Sequence, residues 1–213
     1  DQVAPASSWS SALLAIGETL VTVKITSQFG VTTGYKRTVV RLGSQQAYIK
    51  ATNPGAQDSL GFTIAASGDT LVAGALYEDS ASTTDQTNDA AMDSGAAYVF
   101  VPQNGSWIQQ AYLKASTPSA GEYFGTSVAV SGDTVVVGAP ANDPLSFNVS
   151  PATRAGAAYV FVRRNAEWTQ EARLVPKTNG SGDFFGFKVA VHGDTALVSA
   201  PFESTGGSHS GAI

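Results

Sequence analysis

The chain has no cysteine, one methionine and two histidines among its 213 residues. The missing cysteine excludes a disulfide scaffold, a thiolate zinc site and a cysteine nucleophile. Charged residues make up only 14%, against roughly 25% in an ordinary soluble domain. No apolar run approaches the ~20 residues of a membrane-spanning helix. No basic stretch followed by an apolar core opens the chain, so any export signal is expected outside this segment. A net charge of −5 and a pI near 4.9 argue against nucleic acid as the main partner. What is present is 43% hydrophobic residues, 22 glycines, and 21 valines against 11 leucines. That balance favours strands and tight turns over helices. The length allows one domain, or one domain and a fragment of another.

Charge is spread unevenly. Between Lys50 and Lys114 there is no Lys or Arg, while Asp58, Asp69, Glu78, Asp79, Asp85, Asp89 and Asp93 all fall there. A stretch of this kind suits cations or basic surfaces, or simply keeps a β-rich protein in solution.

Three segments overlay on one another: QAYIKATNPGAQDSLGFTIAASGDTLVAGAL from Gln46, QAYLKASTPSAGEYFGTSVAVSGDTVVVGAP from Gln110, and EARLVPKTNGSGDFFGFKVAVHGDTALVSAP from Glu171. Their Gly-Asp pairs begin at Gly68, Gly132 and Gly193, giving steps of 64 and 61 residues. The block GAAYVFV occurs at Gly95 and Gly156, and restarts as GAI at Gly211. A period near 60 with strand-like content indicates stacked units that cannot bury their faces alone.

Each repeat reads as four short strands. The first follows the Phe-Gly pair, as in Thr126 to Ser131, and Gly-Asp turns it into a second, as in Thr134 to Gly138. A long variable loop leads to the third, Ala157 to Val162, and Asn104-Gly105 or Asn165-Ala166 turns the chain into a fourth starting at Trp107 or Trp168. Runs such as Ala-Ala-Tyr-Val-Phe-Val and Val-Val-Val belong to strands covered on both faces. A blade between two other blades of a propeller meets that requirement, and a sandwich would alternate more cleanly. Trp107 and Trp168 share one repeat position and are expected to be largely buried in blade packing.

Phe124-Gly125 followed by Gly138-Ala139-Pro140, with SVAVSGDTVVVGAP and GAAYVF, resembles the FG-GAP repeat, the blade unit of the integrin α-subunit propeller, and is more similar to the bacterial, secreted branch of that family. The other copies drift, with Leu60-Gly61 and Gly74-Ala75-Leu76 in the first, and Phe185-Gly186 and Ser199-Ala200-Pro201 in the third. The resemblance implies a seven-bladed propeller, an extracellular or cell-surface setting, and a role in adhesion or ligand binding.

The fold expected is therefore all-β: a partial β-propeller of about three four-stranded blades over residues 44–213 (46–109, 110–170 and a truncated 171–213). Residues 1–43 do not fit the repeat. Val21, Val23 and Ile25 alternate on one strand, and Tyr35, Val39 and Arg41 on a second, around Phe29-Gly30. This pair resembles the last hairpin of a bacterial cadherin-like β-sandwich. The alternative is a hairpin capping the first blade.

Candidate chemistry is sparse. The calcium motif of integrin-type blades, Asp-x-Asp-x-Asp-Gly-x-x-Asp, is absent, so that family's ligands do not transfer. The loop from Leu76 to Ser94 offers Glu78, Asp79, Asp85, Asn88, Asp89 and Asp93 as candidate Ca²⁺ ligands without a local base. The matching loops offer only Asn142 and Asp143, or Glu203. His192 flanks a Gly-Asp turn, and His209 sits in a Gly/Ser-rich loop. There is no Gly-x-Ser-x-Gly elbow, phosphate loop or His-Glu-x-x-His. The function expected is a non-enzymatic extracellular module that recognises a protein or carbohydrate through long loops on one propeller face. The competing class is an accessory propeller of a larger secreted enzyme acting on polysaccharide or phospholipid. Open blade edges are expected to promote self-association.

Overall fold

The computed structural model describes residues 17–26, 32–41, 47–141, 155–177 and 180–213. Twelve strands are described: β1 Gly17–Thr26, β2 Thr32–Arg41, β3 Thr63–Ser67, β4 Thr70–Ala75, β5 Ala96–Gln103, β6 Ser106–Leu113, β7 Ser127–Ser131, β8 Thr134–Ala139, β9 Ala157–Arg164, β10 Glu167–Leu174, β11 Val189–His192 and β12 Thr195–Val198. The chain divides into two units, 1–48 and 49–213.

In the first unit β1 and β2 pair antiparallel from Gly17↔Arg41 to Thr26↔Thr32. The two strands expected there are present, while the Phe29-Gly30 turn lies outside the described residues.

The second unit holds three antiparallel sheets in the order β3-β4-β5-β6, β7-β8-β9-β10 and β11-β12. These are the three repeats, the third with its first two strands. Gly68, Gly132 and Gly193 have φ of 55°, 56° and 53°. Positive φ at the first central residue alone is the type II′ hairpin, open to Gly without steric cost. The β5–β6 and β9–β10 hairpins turn through Asn104-Gly105 (φ 52° and 80°) and Asn165-Ala166 (φ 52° and 68°). Both central residues are left-handed, which is type I′. β6 and β10 each bulge at one matching residue, Gln110 and Glu171.

Apolar residues cover both faces of the central sheet. Val135, Val137, Ala157, Tyr159 and Phe161 pack on Val72, Ala97, Val99 and Leu113 of the first sheet, with Phe124 filling the gap. Val136 and Ala158 on the opposite face meet Val198, Val189 and Val191 of the third. Val135, Val136 and Val137 are therefore all buried, as a strand with no solvent face must be. The two tryptophans hold equivalent places but are half-buried, short of the burial expected. Trp168 lies under the Arg163 guanidinium, 5.0 Å from it, and its Nε1–H donates to Gln110 Oε1 on β6 of the preceding sheet at 2.8 Å. A ring with a polar tip sits naturally at such a boundary.

Adjacent repeats share a recurrent seat. Thr63 Oγ1 donates to the Gly125 carbonyl, and Ser127 Oγ to the Gly186 carbonyl, each at 3.0 Å. The Gly132 and Gly193 N–H groups donate to Ser67 Oγ and Ser131 Oγ, each at 3.1 Å. Gly95 and Phe124, and likewise Gly156 and Phe185, form parallel bridges. A methyl group at Gly74 or Gly138 would stand well inside contact distance of the Gly125 or Gly186 carbonyl oxygen. The Phe-Gly pair of one repeat is thus the plug, and the first two strands of the repeat before it form the socket.

Candidate functional site

The first long loop, residues 76–95 between β4 and β5, is folded onto itself. Ala81 N–H donates to the Asn88 carbonyl at 2.7 Å, Ala91 N–H to Asp79 at 2.9 Å and Gly95 N–H to Glu78 at 2.8 Å. Ser80 Oγ donates to the Asp85 carbonyl and Ser94 Oγ to the Ser80 carbonyl, at 2.8 and 3.0 Å. Backbone groups that no strand can satisfy are met inside the loop.

Its anchor is Glu78, 1% exposed, one of the most buried side chains among the described residues. Lys114, just past the end of β6 and also buried, donates to Glu78 Oε2 and to Ser94 Oγ. Tyr112 O–H donates to Glu78 Oε1 at 3.0 Å and Ser80 N–H to Oε2 at 3.2 Å. Burial holds the Lys114 ammonium below its ordinary pKa, and the Glu78 charge opposes that. Burial first, and the same charge second, push the Tyr98 and Tyr112 phenols well above their usual range, so both remain hydrogen-bond donors. The third repeat rebuilds part of this device. Glu203 is buried, its Oε1 accepts from Thr205 N–H at 2.9 Å, and Ser210 Oγ donates to its carbonyl at 3.2 Å. The Thr205 hydroxyl and N–H hold the Glu203 carboxyl below its usual range.

Beside the loop lies an open pocket of about 390 Å³, lined among others by Asn53, Asp58, Glu78, Asp79, Gln86 and Asp89. Its second wall is the 53–58 turn, tied across by Asn53 Nδ2 to the Gln86 carbonyl at 3.0 Å and by Tyr98 O–H to Asn53 Oδ1 at 3.0 Å. Gly55 N–H donates to Asp58 Oδ2 at 2.7 Å. Burial, followed by the nearby Glu78, Asp79 and Asp89 charges, still raises the Asp58 carboxyl above its usual range.

The six candidate ligands thus divide. Glu78, Asp79 and Asp89 line the pocket, whereas Asp85, Asn88 and Asp93 do not. Asp85 Oδ1 accepts from the Thr87 N–H and hydroxyl at 3.0 and 2.7 Å, which keeps its carboxyl acidic. Asp79 Oδ1 accepts from Asp93 N–H at 2.7 Å. Among the described residues no three His, Asp or Glu side chains gather closely enough to form a metal centre. A cation entering the pocket would meet Asp58, Asp79 and Asp89. The loop does have a base, Lys114, brought up by the far end of the same sheet. Asn142 and Asp143 lie outside the described residues. His192 ends β11 beside its turn, as read from the sequence, and exposed His209 packs edge-on against Phe202 with ring centres 5.5 Å apart.

The sequence reading counted Asp58 only in the regional charge and did not single out Lys114, although Lys114 carries a signal. Lys50, Lys114 and Val175 share one repeat position, and Glu78, Asn142 and Glu203 another. At these positions the middle sheet has Asn142 and Val175 where the first has Glu78 and Lys114, so neither half of the charged pair recurs there.

The profile of the FG-GAP repeat matches residues 44–100, 107–161 and 168–213, more than half of the chain. The chain belongs to the FG-GAP repeat family. The first match runs from β3 into β5, the second from β6 into β9 and the third from β10 through β12, so each later match opens on the last strand of the sheet before it, and this FG-GAP protein carries its repeats as propeller-type blades. No curated protein matches the chain. No helix among the described residues is long and apolar enough to cross a membrane.

Proposed function

We propose that this FG-GAP chain is a non-enzymatic extracellular binding module that recognises a protein or carbohydrate ligand at a cell surface, with the first repeat's long loop and its pocket as the contact surface. The observation that carries the reading is the loop's construction. A 20-residue excursion between β4 and β5 is held in one shape by the buried Glu78–Lys114 pair and presents polar side chains to an open pocket. A preorganised loop on a rigid sheet loses little entropy when a ligand arrives. The pocket's carboxylates favour a ligand with cationic or hydroxyl groups.

The test is to screen the immobilised chain against an array of polysaccharides and extracellular matrix proteins, alongside Asp89→Ala and Gln86→Ala variants with unchanged melting. Binding to an array component that both variants lose supports the reading. Equal binding by the variants, or no binding at all, rejects it. Hydrolysis of a captured polysaccharide by the chain alone would overturn the non-enzymatic assignment.

A further inference from the structure

A second pocket, of about 490 Å³, lies at the opposite end of β4 from the long loop. It opens between the Gly68-Asp69 turn, Pro102 and Gln110 of the first sheet and Gly132 and Arg163 of the second.

The polar groups at its floor are held in place. Arg163 Nε donates to Asp133 Oδ1 at 2.7 Å, and Nη1 donates to Gln110 Oε1 at 3.3 Å. The Trp168 ring supports the guanidinium from beneath, and its Nε1–H shares Gln110 Oε1. Gln110 reaches this place from the bulge in β6, and a bulge re-aims a side chain out of the alternation of its strand. The matching residue in β10, Glu171, turns to Arg164 instead.

What this bracing leaves over are hydrogen-bond donors. Gln110 Oε1 is taken twice, while Nε2 donates to nothing among the described residues. Each Nη nitrogen of Arg163 carries a further N–H beyond its bond to Gln110 or Asp133. Asp69, exposed at the turn, lines the same pocket as an acceptor. Asp69 and Asp133 together outweigh the one guanidinium and disfavour an anion, while Arg163 at the floor disfavours a cation. A hydroxyl both donates and accepts, so a neutral ring with adjacent hydroxyls meets the Gln110 and Arg163 donors and the Asp69 acceptor at once. Val101 and Pro102 supply apolar surface for the C–H face of such a ring.

We propose that this pocket binds one neutral sugar unit, with Gln110 and Arg163 donating to its hydroxyls and Asp69 accepting from one of them. The site is separate from the long-loop pocket and does not depend on it. Its donors are fixed before the ligand arrives, which lowers the cost of binding.

The test titrates the whole chain with methyl glycosides of glucose, galactose and mannose, with neutral disaccharides of the same sugars, and with glucuronic acid and glucosamine as charged controls. Magnetic resonance follows the Trp168 indole N–H and the Gln110 side-chain amide. At least one neutral sugar is expected to shift both signals saturably and to bind at least ~10-fold more tightly than either charged control. A response to the methyl glycosides marks a site for a free sugar, and a response confined to the disaccharides marks a site for a unit within a glycan. Gln110→Glu keeps the acceptor that Trp168 and Arg163 use and removes the Nε2 donors. Gln110→Glu and Asp69→Ala are each expected to weaken binding at least ~10-fold without lowering the melting temperature, because a hydroxyl loses its partner. Asp89→Ala, in the long-loop pocket, is expected to leave sugar binding unchanged. Silence of the two signals toward every neutral sugar, equal binding of a charged control, parent-like binding by Gln110→Glu or Asp69→Ala, or loss of binding in Asp89→Ala would each overturn the proposal.

Discussion

Lys114 closes the first long loop by donating to Glu78, 36 residues earlier in the chain, with both side chains almost fully buried. Two charges withdrawn from water hold together only while both are present. Lys114→Val should therefore cost about 3–5 kcal/mol, since it strands a buried carboxylate. The double change Glu78→Asn with Lys114→Val, the combination found in the second repeat, should recover most of that loss. Urea unfolding of the four proteins of this cycle measures the coupling.

Asp58 provides a pH signature. Its folded carboxyl is raised above the ordinary value, so the folded chain holds this proton more tightly than the unfolded chain does. The stability this contributes is present below the unfolded pKa of ~3.9 and is lost as pH rises through the raised folded value. Asp58→Asn should then melt higher than the parent at pH 7, with the difference vanishing near pH 3. Thermal melts across that range decide it.

Ala166 occupies a left-handed position, φ 68°, that Gly105 fills in the first repeat. An L-residue with a Cβ pays roughly 1–2 kcal/mol for that conformation. Ala166→Gly should stabilise the protein by about 1 kcal/mol in chemical denaturation, whereas Gly105→Ala should destabilise it by a similar amount.

Calcium is expected to bind no tighter than ~1 mM, since few carboxylates face the pocket and the strong cation sites have many more oxygens. In calorimetric titration Asp58→Asn or Asp89→Asn should abolish the heat. Asp85→Asn should leave it unchanged, because that carboxylate is turned into its own bend toward Thr87.

The blades were legible because their signals are local and recur. Gly-Asp between apolar runs gave hairpins at Gly68, Gly132 and Gly193, and Val135–Val137 announced a strand with no wet face. The site was less legible. Glu78 read as one acid among six because its partner, Lys114, lies across a four-stranded sheet, and only the fold sets the two ends side by side. Asp58 was counted in the charge of the region and missed as a pocket residue, since it belongs to a turn that precedes the loop by about twenty residues. Trp168 was read as core from its repeat position, but Gln110 of the neighbouring sheet holds its indole at the rim.

The plug-and-socket seat also orders the making of the molecule. Phe124 N–H is held by the Ser94 carbonyl and Tyr123 N–H by the Asp93 carbonyl, at 2.9 and 3.1 Å. The last turn of the first loop is therefore completed by residues of the second repeat. During synthesis the loop acquires these bonds only after residue 124 has left the ribosome and docked, so each repeat finishes the one made before it.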